Sequence, residues 1–436
     1  MTALATVLAL LARVPVEEKR GVAERIMAAT ARYSISAFGP LAVSGAHFFA
    51  AIILLHALPR AAFGLFSFML VAVPFCLSLC GSLLALPVAR AAAREGAVAE
   101  SEMATYLKAN LVLSFGVALG VAALMYLSQA SFGLAALFGV YGGTMTLRWF
   151  ARCYTYAMRH PFRAMASDLA YSTLLVAGLV ALQLLHQLTM WSATLLLLGA
   201  AISGFAAFDK TYLLRQWQSV RTGRLRPYLE VWQKLTRWSM LGVVLTEMTV
   251  NAHAYLVTFI SGPEAFAVLA LGSLFMRPVS LVLAALPDME RPLMTRKLVA
   301  GDRAGAFQTV KEFRTATGAV WLATLVLAGV LVVWFPHLLL KKDYPQADVI
   351  AVIAISALIM ALRTFRTPES VLLQAAGEFR ALAGASAWSS GVALAATFAL
   401  LMLVGPIGAL FGIVAGDAVM TGKIFALTRH WKRQHG

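Results

Sequence analysis

Charged residues are scarce in this sequence. They make up 13% of its 436 positions, about half the share of a soluble domain, while 60% are hydrophobic and the mean hydropathy is +0.79. That balance excludes a soluble enzyme. It also excludes a nucleic-acid-binding fold, despite a formal charge of +16 and a pI near 10.1, because a basic patch on a soluble protein would not come with so many long apolar runs. Cysteine is almost missing too. Cys76, Cys80 and Cys153 lie in or beside apolar segments, no spacing matches a zinc or redox motif, and all three read as small core residues. The sequence contains no GxxxxGK[ST], HExxH or GxSxG motif and no GxGxxG after a strand. No ATP-driven pump is encoded in this chain alone, and no catalytic residue, metal site or cofactor is expected. The first twelve residues, "MTALATVLALLA", lack a basic lead and are too short to span a bilayer; a short interfacial or cytoplasmic helix is expected.

Long apolar windows are abundant. A spanning helix needs about 20 mostly apolar residues, and twelve windows qualify: 33–58, 63–88, 109–128, 132–150, 168–186, 191–213, 238–260, 265–286, 316–335, 347–362, 381–404 and 407–427. The expected fold class is an all-α polytopic membrane protein. Lys and Arg set its orientation. With the amino terminus inside, 32 of the 36 basic residues fall in inner segments; Arg60, Lys341 and Lys342 lie outside, and Arg277 is left over. Both termini are therefore expected in the cytoplasm. The outer loops are short, which leaves no room for an outer catalytic domain.

The longest inner connection, Arg215 to Arg237, divides the windows into two sets of six. It reads as a basic, amphipathic interfacial linker. The expected organisation is a cytoplasmic segment 1–32, a first lobe 33–213, a linker 214–237, a second lobe 238–428 and a cytoplasmic tail 429–436. The lobes echo each other: Pro59, Phe63 and Pro74 after the first window match Pro263, Phe266 and Pro278 after the seventh, as in transporters built from repeats.

At these residues the chain resembles a known family. "ALPRAAFGLF" running to "LPVAR", echoed by "SGPEAF" running to "PLMTRK", with "RTPESVLLQAAGEFR" and "GPIGALFGIVAGD" near the carboxy terminus, is similar to the oligosaccharide-lipid flippases of the MOP superfamily, the Wzx or polysaccharide-exporter branch. The resemblance implies two six-helix lobes around a central cavity faced by the first and seventh helices, with alternating access by rocking. It also implies an undecaprenyl-diphosphate-linked oligosaccharide as cargo, a bacterial plasma membrane, and as partners membrane lipids, H+ or Na+, and a polysaccharide polymerase. Three other readings stay open: a MOP-type drug or organic-cation antiporter, a membrane glycan polymerase or ligase, and a non-transporting scaffold that recruits partners through its basic inner loops.

Charges inside the membrane are the functional candidates, since one near the bilayer centre costs from about 2.5 to over 10 kcal/mol. Arg277 lies twelve residues from the outer start of its window, roughly 18 Å at 1.5 Å per residue and hence near the midplane. Its guanidinium suits a lipid diphosphate; the bland reading is an ion pair with Glu247. Pro278 is expected to bend the helix by freeing the carbonyl four residues earlier.

Glu247, Asn251, Tyr255 and Thr258 form one polar stripe on the seventh window. Glu247 is the candidate for ion coupling, and Asn251 and Tyr255 for substrate contact. His47 is the corresponding candidate in the first lobe, and a packing histidine is its alternative. Arg32, Arg363 and Arg366 could receive an anionic headgroup at the cytoplasmic mouth, as could Arg148, although retention of positive charge inside accounts for them. Asp168, Asp209, Asp288 and Asp417 are expected to be helix caps or interfacial pairs, and "GVYGGT" a close helix contact.

Overall fold

The computed structural model describes residues 38–92, 100–158, 160–334 and 344–435, and among them there are helices and no strands. The first lobe holds α1 (Phe38–Ala57), α2 (Arg60–Ala92), α3 (Glu100–Leu127), α4 (Phe132–Ala157), α5 (Pro161–Leu184) and α6 (Met190–Ala207). A linker helix, α7 (Lys210–Thr222), leads to α8 (Tyr228–Ser261). The second lobe continues with α9 (Pro263–Phe275), α10 (Arg277–Val299), α11 (Arg303–Trp334), α12 (Gln346–Ala375), α13 (Phe379–Val404) and α14 (Ala409–His435).

Over their described residues, all twelve windows fall on helices, the eighth being shared by α9 and α10. Among the described residues, ten helices are long and apolar enough to cross a membrane, or eleven if the α9/α10 pair, bent by 61°, counts as one span. The helix of the fourth window, α4, is long enough at 26 residues but is not among these. Arg148 and Arg152 lower its apolarity, and both are buried inside the lobe.

Local chemistry sets the boundaries. Thr189 and Ser192 form a reciprocal capping box at the start of α6. Pro263 opens α9 after Gly262, whose φ of +85° makes the turn from α8. The sixth window ends earlier than expected, at Ala207 rather than Leu213, because Asp209 caps a new helix by accepting from the Thr211 N–H at 3.3 Å. Asp209 also pairs with Arg163 at 2.8 Å, and these partners hold its carboxyl below the usual carboxylate range. "GVYGGT" packs α4 onto α3: a Cβ on Gly143 would stand 3.0 Å from Ala118 Cβ, and one on Gly139 2.8 Å from Ala122 Cβ.

The hydrophobic core has three parts. One large cluster joins both lobes through the halves of the helices nearest the short loops, including Leu54, Phe66, Phe68 and Met125 of the first lobe with Val257, Leu269, Val352 and Ile413 of the second. The opposite, basic end has two separate clusters. Leu84, Met103, Phe150 and Phe208 belong to the first lobe, and Met294, Phe313, Leu372 and Trp431 to the second. The lobes thus share a core at the short-loop end and have separate cores at the basic end. Apolar residues such as Phe115, Leu127 and Leu403 stay exposed on the outside, as a lipid-facing surface requires.

Candidate site between the lobes

The seal at the short-loop end centres on Phe68 of α2. Its ring meets those of Tyr255, Phe259 and Phe266 edge-on at 5.5, 6.0 and 6.1 Å, a geometry favoured by the ring quadrupole. One turn earlier, Gly64 lies directly against the Pro263 carbonyl. Further out, the Arg60 guanidinium sits 5.4 Å from the Tyr344 ring centroid.

Below this seal lie the polar candidates. Glu247, Asn251 and Tyr255 share the expected face of α8: the Tyr255 hydroxyl donates to Glu247 at 2.7 Å and Asn251 Nδ2 at 3.1 Å. The stripe faces α2, since Cys76 lies within electrostatic reach of both Glu247 and Tyr255. The free cysteines Cys76, Cys80 and Cys153 make no disulfide.

Arg277 is not inside a continuous helix. Pro278 supplies no N–H and its ring cannot fit against the preceding turn, so the chain breaks at Met276 and Arg277 becomes the first residue of α10. The guanidinium is half-buried. Among the described residues it forms no ion pair, and Glu247 is engaged by Asn251 and Tyr255 instead. The expected alternative, an Arg277–Glu247 pair, is therefore absent there. Arg277 lies within electrostatic reach of His47 on α1, in the other lobe. His47 hydrogen-bonds the Tyr171 hydroxyl at 2.7 Å, and Tyr171 bonds the Tyr141 hydroxyl at 3.0 Å.

Two of the aspartates expected as caps or interfacial pairs are paired, in ion clusters whose partners the sequence did not name. In the first lobe, Arg148 and Arg152 of α4 hold Asp168 of α5 at 2.6 and 2.7 Å, all three buried. In the second, Arg363 and Arg366 of α12 hold Asp417 of α14 at 2.8 and 2.5 Å. Each lobe thus clamps one carboxylate between two guanidiniums, and the two arginine pairs lie on the helices of the fourth and the tenth windows, six apart. Asp168 and Asp417 lie inside their helices and are not caps, contrary to one expected role. Arg363 and Arg366, expected at the mouth, are committed to Asp417 and are mostly buried, with about 15% and 14% of their side chains exposed. Arg314 pairs with Glu369 nearby. Arg32 lies outside the described residues. The visible signal for these clusters was arginine at i, i+4 and i, i+3 in or beside an apolar window, together with an aspartate in another.

This arrangement is a two-lobed bundle of helices, most of them long and apolar enough to cross a membrane. No family model and no curated protein matches the chain. Among solved structures, it is similar to an inward-facing multidrug resistance MATE family transporter of the MOP superfamily, at 15% identity and a TM-score of 0.67, over 92% of this chain and 95% of that one. It is also similar to an outward-facing structure of that description, at 14% identity and TM-score 0.60, covering 92% and 95%. For a MATE protein in the bent conformation the values are 15%, 0.58, 93% and 95%. The fold is accordingly the one those MATE structures share, and they show it in both inward- and outward-facing forms.

Proposed function

We propose that this chain is an alternating-access flippase carrying undecaprenyl-diphosphate-linked oligosaccharide across a bacterial plasma membrane for surface or exopolysaccharide synthesis. The observation that carries the reading is Arg277, a half-buried guanidinium at a helix break, within electrostatic reach of the other lobe's His47 and without a carboxylate partner among the described residues. It stands at the amino-terminal end of α10, where the helix dipole adds to its attraction for an anion. A diphosphate matches that charge and the paired donors of the guanidinium. The excess of one cation in each buried cluster gives both lobes the same sign. In this reading the basic end faces the cytoplasm, and the lobes, joined at the short-loop end, are caught open to the inside. Asn251, Tyr255 and His47 contact the cargo, and Glu247 couples the cycle to H+ or Na+.

A second reading, antiport of an organic cation, is supported by Glu247, which has no basic partner among the described residues, and by the multidrug resistance named for the structural neighbours. Binding separates the two. A short-chain prenyl-diphosphate sugar titrated against purified protein is expected to bind, and Arg277→Ala to weaken it about tenfold or more, the worth of a charged hydrogen bond. Binding of a quaternary ammonium dye that depends on Glu247, with none of the diphosphate, would favour antiport.

A further inference from the structure

The linker helix α7 has one face fastened to the first lobe. Tyr212 and Ser219 are buried, Gln216 Nε2 donates to the Leu107 carbonyl at 2.8 Å, and Lys108 Nζ donates to the carbonyls of Val220 and Gly223 at 2.9 and 3.0 Å. The later residues of α7 therefore lie against the earlier residues of α3. At 28 residues, α3 is about 42 Å long, some 12 Å more than an apolar bilayer core, so roughly its first eight residues stand beyond that core. Trp217, one residue past the Gln216 contact with Leu107, falls at the boundary; Arg221 and Arg224 fall beyond it.

The outward face of α7 fits that depth. Leu213, Trp217 and Val220 recur at helical spacing and are 37, 78 and 48% exposed, the composition of an interfacial face. Around and after them, Lys210, Arg215, Arg221, Arg224 and Arg226 are all exposed, and none pairs with a carboxylate among the described residues. We infer that this edge is a binding surface for anionic phospholipid headgroups, with Trp217 seated at the apolar boundary and Arg221, Arg224 and Arg226 on the phosphates. Because α7 is fastened to α3, the lipid is held by the first lobe alone.

The test uses the full chain purified in detergent and titrated with phosphatidylglycerol or phosphatidylcholine, bound lipid being counted by native mass spectrometry. Phosphatidylglycerol is expected to be retained in preference to phosphatidylcholine. The triple variant Arg221→Gln/Arg224→Gln/Arg226→Gln weakens it about fivefold per cation, on the order of a hundredfold in all. The corresponding triple lysine variant keeps most of the affinity, and salt erodes it. Unchanged folding is read from the elution volume, which these exposed side chains do not control. Wild-type phosphatidylglycerol retention by the glutamine variant, or equal retention of both lipids, overturns the inference and leaves the edge to a second copy or another protein.

Discussion

Replacing Gly64 should open the protein at the short-loop end. A Cβ at this position would stand 2.6 Å from the Pro263 carbonyl carbon and 3.3 Å from its Cα, and closer still to the carbonyl oxygen. These are backbone atoms and cannot swing aside, so the lobes must part by more than the 0.8 Å that would bring the carbonyl carbon alone to ordinary contact at 3.4 Å. Overpacking of this kind costs about 1–3 kcal/mol. The cost falls only on the state in which the two helices touch, so Gly64→Ala shifts the equilibrium roughly 5- to 150-fold toward the state open at that end; Gly64→Val shifts it further. The assay is a spin-label distance between cysteines placed at the exposed positions Ala61 and Glu264, with Cys76, Cys80 and Cys153 replaced. A longer distance should gain population in both Gly64 variants and not in Gly116→Ala, where a Cβ meets open space. An unchanged distribution in a folded Gly64→Val protein would refute the reasoning.

Asp417→Asn leaves Arg363 and Arg366 without their shared anion and should cost about 3–5 kcal/mol, as should Asp168→Asn for Arg148 and Arg152; a fall in the detergent melting temperature of each variant checks this. Glu247→Gln keeps the hydrogen-bonded geometry with Tyr255 and removes the charge. Diphosphate binding should survive while the pH or Na+ dependence of translocation disappears, read by comparing the two assays. Tyr228→Phe removes the 2.7 Å bond to the Leu83 carbonyl, in the π-helical turn Gly81–Ala85 of α2. It should cost about 1 kcal/mol, seen as faster amide exchange across that turn.

Much of the fold was legible because spans obey a length and hydropathy rule that needs no tertiary information. The twelve windows, the bend at Pro278, the cap at Asp209 and the polar stripe through Glu247 follow from local chemistry. The partners did not follow. Asp168 and Asp417 were read by their nearness to window ends, yet both turn inward, and only the packing of α4 on α5 and of α12 against α14 brings arginines to them. The contrast between Pro74 and Pro278 is also tertiary. Pro74 sits within α2 without breaking it, whereas Pro278 ends α9, although the sequence surroundings are similar. Nor could the sequence tell that Glu247 is engaged by Asn251 and Tyr255 and forms no ion pair with Arg277 among the described residues.

The central claim is that Arg277 meets the diphosphate of a lipid-linked oligosaccharide. The direct measurement is translocation of that lipid across reconstituted vesicles by wild type, Arg277→Lys and Arg277→Ala. The account predicts transport by wild type, reduced transport with lysine, which keeps the charge without the paired donors, and loss with alanine. Wild-type transport by Arg277→Ala would contradict it.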